Sequence, residues 1–262
     1  MSASLVTIIA CLILFFSTTI GSALVFLIRK ELSAKVSNMI LGFASGIMIA
    51  AGIFGLLIPA IEEAELFYEK LAFIPVVVGF LLGGLFLYLL DKMIPHFHIE
   101  RDEDEGPKTN LTKQLKFFLA VLIHNIPEGL AVGFACGLAL STDEPLAIMS
   151  ALSLAIGISI QNLPEGAAVS VPLYEQGMPR SKAFTYGMIS GIVEPLFALV
   201  GILLSMQIQA LMPWLLAFSA GAMIYVTIDE LLPAARKDGH EHFGLWAFMF
   251  GFMVMLMLEL LL

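Results

Sequence analysis

Two hexapeptides carry most of the polar chemistry in this chain, His124-Asn125-Ile126-Pro127-Glu128-Gly129 and its echo Gln161-Asn162-Leu163-Pro164-Glu165-Gly166. Positions i, i+3 and i+4 share one face of a helix, so His124 and Glu128 stack one turn apart with Asn125 beside them. Gln161, Asn162 and Glu165 repeat that arrangement. Glu194-Pro195 adds a third carboxylate. Each of these groups sits in the middle of an apolar stretch, where an uncompensated charge costs several kcal/mol. Three glutamates packed together repel one another unless a cation lies among them, and one divalent ion, or two sharing bridging carboxylates, would resolve the conflict. Imidazole, carboxylate and amide donors suit borderline ions such as Zn²⁺, with Fe²⁺, Mn²⁺, Co²⁺ and Cd²⁺ as competitors. The prolines strengthen this reading, because each denies a hydrogen bond to the carbonyl four residues earlier, Ile123 and Ile160. A pair of kinked packing helices is the plainer alternative, and two copies with matching acids argue against it.

The elements that hold these groups are read from composition. The 262 residues are 59% hydrophobic and only 13% charged, with a mean hydropathy of +0.95. A soluble domain carries about a quarter charged residues, so the chain belongs in a bilayer. Its net charge of −9 excludes nucleic acid as a partner and suits a protein that handles cations. The two cysteines, Cys11 and Cys136, lie in separate apolar segments and read as small buried hydrophobes; with no thiolate cluster, copper(I) is disfavoured.

Eight apolar stretches are long enough to cross ~30 Å of hydrocarbon, at about 4–28, 36–61, 71–95, 114–140, 146–172, 181–205, 210–235 and 242–262. The first is too long for the apolar core of a cleavable leader and is expected as a spanning helix. Alternating the loops across the membrane gathers Arg29, Lys30, Lys35, Lys92, Arg101, Lys108, Lys113, Lys116, Arg180, Lys182, Arg236 and Lys237 on one side. Lys70 alone is left on the other. Basic residues stay in the cytoplasm, so both termini are expected outside. The longest connection, about 96–113, is cytoplasmic on this scheme. Its acidic run from Glu100 to Glu105 reads as a mobile linker, with metal capture by His96 and His98 as the functional alternative.

An internal echo suggests the topology. Phe43-Ala44-Ser45-Gly46-Ile47-Met48-Ile49, followed by Pro59-Ala60, parallels Phe218-Ser219-Ala220-Gly221-Ala222-Met223-Ile224, followed by Pro233-Ala234. Gly83 to Asp91 parallels Gly251 to Glu259. If helices 1–3 match helices 6–8, the offset of five makes the repeats face opposite ways across the membrane. The expected fold is an all-α polytopic membrane protein, a single domain over 1–262. It has an inverted 3+2+3 repeat with helices 4 and 5 central, and sites at the repeat interface near the midplane.

At these residues the chain resembles the ZIP family of metal transporters. The motif at His124–Gly129, its counterpart at Gln161–Gly166, and Glu194-Pro195 carry the resemblance, which covers essentially the whole chain. It implies uptake of zinc and related ions across the plasma membrane, the inner membrane of a bacterium, often through a two-metal centre, with the metal as cargo and no cofactor. One ion would be held by His124, Glu128, Gln161 and Glu165, the other by Asn125, Glu128, Asn162, Glu165 and Glu194. Many members have His where Gln161 stands, and some have Asp in place of Asn162; both departures weaken the donor set. Glu259 resembles an entrance acid on the outside. Asp229 and Glu230 match exit ligands toward the cytoplasm, with Asp91 nearby. Glu62, Glu63, Glu65 and Glu69 are assigned to an outer loop that could concentrate cations, a solvated acidic surface being the alternative. The expected partners are divalent ions and the lipid bilayer, with a homodimer admitted.

An intramembrane zinc protease is the rival from another class. It needs a glutamate directly after the first histidine and a second histidine one turn on; Asn125 occupies the first place, and no second histidine follows. A metal exporter or a selective channel would use the same ligands.

Overall fold

A computed structural model describes residues 1–27, 33–98, 103–205, 209–236 and 241–262. The expectations placed on Arg29, Lys30, Glu100, Arg101, Asp102 and Lys237 lie outside those residues. Eight long apolar helices follow one another: α1 (Ala3–Phe26), α2 (Ala34–Leu71), α3 (Phe73–Met93), α4 (Gln114–Thr142), α5 (Pro145–Glu175), α6 (Arg180–Ser205), α7 (Met212–Ala234) and α8 (His242–Leu261). Several begin where a hydroxyl can take an unpaired N–H. Ser2 accepts from Leu5 at 3.3 Å, Ser33 from Val36 at 3.4 Å and Thr112 from Leu115 at 3.3 Å. Pro145 and Pro213 occupy first turns, where a missing N–H costs nothing.

The outer face of the bundle is apolar. Leu5, Ile8, Leu12, Phe16 and Ile20 form an exposed stripe at helical spacing on α1, and Leu196, Leu199 and Leu203 do the same on α6. Water would penalise such stripes, whereas lipid solvates them. The helices differ in depth. In α4, 76% of the most apolar stretch is buried, against 22% in α3 and 17% in α8, so α4 forms the axis of the bundle.

Two segments depart from the sequence expectation. First, α2 does not stop near residue 61 but continues to Leu71, so Glu62, Glu63, Glu65 and Glu69 stand on its last turns rather than in a loop. Glutamate, alanine and leucine are good helix formers. Ala60 and Ala64, one turn apart, are buried while Glu62 and Glu65 stay exposed. The extra turns are pinned to α7, because Tyr68 donates its hydroxyl to the Ala210 carbonyl at 2.8 Å and accepts from Trp214 Nε1 at 2.9 Å. Second, the expected linker carries a short antiparallel ladder. Strand β1 (His96–His98) pairs with β2 (Glu103–Glu105), His96 opposite Glu105 and His98 opposite Glu103.

α2 and α7 each widen into a π-helical stretch, Ala51–Leu57 and Thr227–Leu231, just before a proline, Pro59 or Pro233. A proline presses on the carbonyl four residues earlier, here Gly55 and Asp229, and the wider turn accommodates it.

Helices pair closely as α1 with α5, α4 with α6, α2 with α8, and α3 with α7. Glycines permit the approach, since a side chain would collide with the partner's backbone. Gly46 meets the Phe248 carbonyl and Gly251 that of Phe43 in the α2–α8 pair; Gly221 meets the Phe80 carbonyl and Gly83 that of Phe218 in the α3–α7 pair. The largest apolar cluster lies along the C-terminal half of α4, where Leu130, Phe134 and Leu138 pack with Leu154 and Ile158 of α5 and Ile47 of α2. The polar residues of α4 fall on the turns before it.

Candidate metal centre

Side by side, α4 and α5 run unbroken through Pro127 and Pro164 and place these turns against α6 and α1. Gly129 seats on the carbonyl of Glu194, and Gly166 on the carbonyl of Thr18. These contacts bring Glu128, Glu165 and Glu194 into electrostatic range of one another. Glu128 and Glu194 are fully buried, Glu165 half-buried.

Neutral hydrogen-bond donors stand between the acids. Gln161 Nε2 donates to Glu128 Oε2 at 2.6 Å and to Asn162 Oδ1 at 2.8 Å. Asn162 Nδ2 donates to Glu194 Oε2. The other oxygen of Glu194, Oε1, accepts from the Thr18 hydroxyl at 2.9 Å and from Asn125 Nδ2 at 3.4 Å; the same Nδ2 lies 3.0 Å from the Ser190 carbonyl. An amide relay thus joins Glu128 to Glu194. Among the described residues, no three His, Cys, Asp or Glu side chains converge as metal ligands by themselves. One atom is left over: Asn125 Oδ1, buried in the cluster, has no hydrogen-bond donor.

His124 stands apart from Glu128 in its bonding, although both share a face of α4. Its Nε2 lies 2.5 Å from Glu230 Oε1 of α7. The sequence reading separated Glu230 from the central group as an exit residue; in the fold it touches the first residue of that group. Asp91 and Glu165 act on His124 electrostatically. Asp91 and Asp229 line a cleft of about 340 Å³ with Tyr88, Lys92, Gly106 and Tyr225. A second, largely apolar cleft of about 500 Å³ adjoins it at Tyr225 and Asp229. Glu259 lies elsewhere, on α8, where Ser150 and Ser153 of α5 donate to its two oxygens at 3.2 and 2.7 Å.

Thr18 is the member of the cluster that motif reading misses. Its signal is faint: the hydroxyl run Ser17-Thr18-Thr19 within a largely apolar helix. Ser22, one turn on, is also drawn in. Its hydroxyl lies 2.9 Å from the Thr18 carbonyl and 3.1 Å from that of Gly166, and Ser170 donates to the Ser22 carbonyl at 3.0 Å. These bonds stitch α1 to α5.

Fold and site together define a multi-pass protein of the cell membrane with an acid-and-amide centre buried between its helices. The family model described as ZIP Zinc transporter matches residues 99–259. Over most of its length the chain is similar to zinc transporter GufA of Myxococcus xanthus, 36% identical over 254 residues that cover 96% of this chain and 97% of that relative. It is also 34% identical to zinc transporter ZIP11 of Xenopus tropicalis, covering 92% and 93%. Zinc transporter ZIPB of Bordetella bronchiseptica matches at 34%, covering 93% and 77%. The chain belongs to the ZIP family, and divalent metal transport is its class of function.

Proposed function

We propose that the chain carries divalent metal ions into the cytoplasm by alternating access, zinc first and iron, manganese, cobalt and cadmium after it. The observation that carries this reading is Asn125 Oδ1, a buried acceptor without a donor on the residue whose amide nitrogen reaches Glu194, itself in electrostatic range of Glu128 and Glu165. A buried polar atom left unpaired costs about 1–3 kcal/mol, and a cation held among the acids would remove that cost together with their mutual repulsion. In this reading one ion is bound by His124, Glu128, Gln161 and Glu165, and a second by Asn125, Glu128, Asn162, Glu165 and Glu194. Gln161 and Asn162 now aim N–H groups at the acids, so each amide turns over to offer its oxygen when an ion arrives.

The ion enters past Glu259 and leaves past Glu230, which touches His124, and past Asp229 and Asp91, which line the cleft. The charge asymmetry of the loops supports an outside position for both termini. Matching glycine contacts in the α2–α8 and α7–α3 pairs support the inverted repeat, as do the π-helical turns that precede Pro59 and Pro233. The hydroxyl stitching of α1 to α5 and the close α4–α6 pair favour α1, α4, α5 and α6 as one moving body. The bacterial inner membrane is the location we assign, and the protein has no chemistry to perform on its cargo.

Metal flux into proteoliposomes of fixed orientation tests the reading. Glu128→Ala is expected to bring zinc flux to background while the protein still elutes as a folded species. Unchanged flux in that variant would remove the centre as drawn. Flux driven only outward relative to the basic loops would replace uptake with export.

A further inference from the structure

We infer that Thr18 is a positioning residue for the metal centre, holding the Glu194 carboxylate in the orientation that an ion requires; this rests on the reading of Glu194 as a ligand. Thr18 is fully buried on α1. Its hydroxyl lies 2.9 Å from Glu194 Oε1 and 3.2 Å from the Leu14 carbonyl. A hydroxyl has one hydrogen to give, and the shorter contact is the one to Glu194. Asn162 holds the other carboxylate oxygen, and Asn125 reaches Oε1 only at 3.4 Å. Without Thr18, one oxygen of a buried acid keeps a single long contact and the carboxylate plane is free to turn.

Three features suit Thr18 to this task. Its backbone cannot drift, because Gly166 seats on its carbonyl and Ser22 and Ser170 tie the next turn of α1 to α5. Its side chain is branched at Cβ, which restricts the rotamers open to the hydroxyl. Its methyl and Cβ fill the space opened by Gly191 on α6, one turn before Glu194. A rigid donor on one helix, a ligand on a second and an amide clamp on a third form the kind of outer support that sets the affinity of a metal site.

The test uses the whole protein in lipid nanodiscs, with Zn²⁺ and Cd²⁺ binding followed by calorimetry and the cadmium-113 resonance recorded for the bound ion. Thr18→Val keeps the shape and removes the hydroxyl. It is expected to weaken the Glu194-dependent ion by ~10- to 100-fold, the range typical of lost outer-shell partners, and to shift the cadmium-113 signal. Thr18→Ser is expected to restore both. In flux assays KM should rise with the maximum rate less affected. If Thr18→Val fails to fold, Thr18→Ala, which lacks both the hydroxyl and any atom that binds metal, should show the same weakening. Wild-type affinity and resonance in Thr18→Val, with Glu194→Gln still weakened, would overturn the positioning role and leave the centre standing. No effect of Glu194→Gln would instead remove the ligand role on which the inference depends.

Discussion

In α4, His124 reaches away to Glu230, and Asn125 keeps an oxygen without a donor while giving Glu194 only a long contact of 3.4 Å. In α5, Gln161 and Asn162 point N–H groups at Glu128 and Glu194, so this copy supplies the hydrogens. The two acids differ as well, Glu128 being fully buried and Glu165 half-buried. Near-identical sequence therefore makes different hydrogen bonds in the two copies. The neighbours decide: α4 packs against α6 and α7, whereas α5 packs most closely on α1. On the proposed function, the first copy offers a cation its free oxygen, and the second keeps the acids apart until the ion arrives. A ligand set in which both copies take part then requires the amides of α5 to reverse when metal binds.

The largest effects fall on the acids. Glu128→Ala and Glu165→Ala are each expected to lower zinc flux in proteoliposomes by more than ~100-fold, beyond the loss of an outer-shell partner. Substantial flux in Glu165→Ala would confine metal binding to α4 and leave α5 as a scaffold of donors. A smaller effect is expected at Asn162. Asn162→Asp replaces the donor facing Glu194 with a third acid against it, so the metal-free protein should melt at a lower temperature than wild type. Zinc should then stabilise the variant more than it stabilises wild type, on top of the about 2.7 kcal/mol that any ligand contributes at a hundredfold excess over its Kd. An equal zinc-induced shift in both proteins would show that the amide of Asn162 does not separate charges.

These differences were partly legible before the fold was known. The eight spans were, because hydrocarbon demands long apolar runs. The two hexapeptides and Glu194 were, because acids inside such runs are costly. The continuation of α2 through Glu62 and Glu65 was not, since glutamates near a boundary suit a helix end and a loop equally, and burial of Ala60 and Ala64 against α7 settles the matter. The meeting of His124 with Glu230 joins residues far apart in sequence and depends on how α4 packs on α7. Thr18 carries no charge, and a threonine in a spanning helix most often bonds its own backbone, as Thr227 does to the Met223 carbonyl at 2.7 Å. Which way an amide points was the least legible feature, because asparagine and glutamine offer both a donor and an acceptor and only their neighbours choose.

The finest division between the copies is at their first residue. Gln161→His makes the α5 hexapeptide match α4 there and gives the centre a second imidazole, which borderline ions such as zinc and cadmium favour over manganese. The same change removes the amide that donates to both Glu128 and Asn162, so part of the gain is offset by a broken relay. The net expectation is a shift of about 10-fold or less in zinc affinity, with a larger change in the ratio of zinc to manganese flux. Exchanging the residues, His124→Gln with Gln161→His, should not restore wild-type behaviour, because Glu230 lies beside position 124 and the imidazole would have left its partner behind. Flux measured for wild type, both single variants and the exchange separates the outcomes. Full recovery in the exchange would mean that the two helices are interchangeable, and that the asymmetry of their hydrogen bonds has no part in choosing the ion.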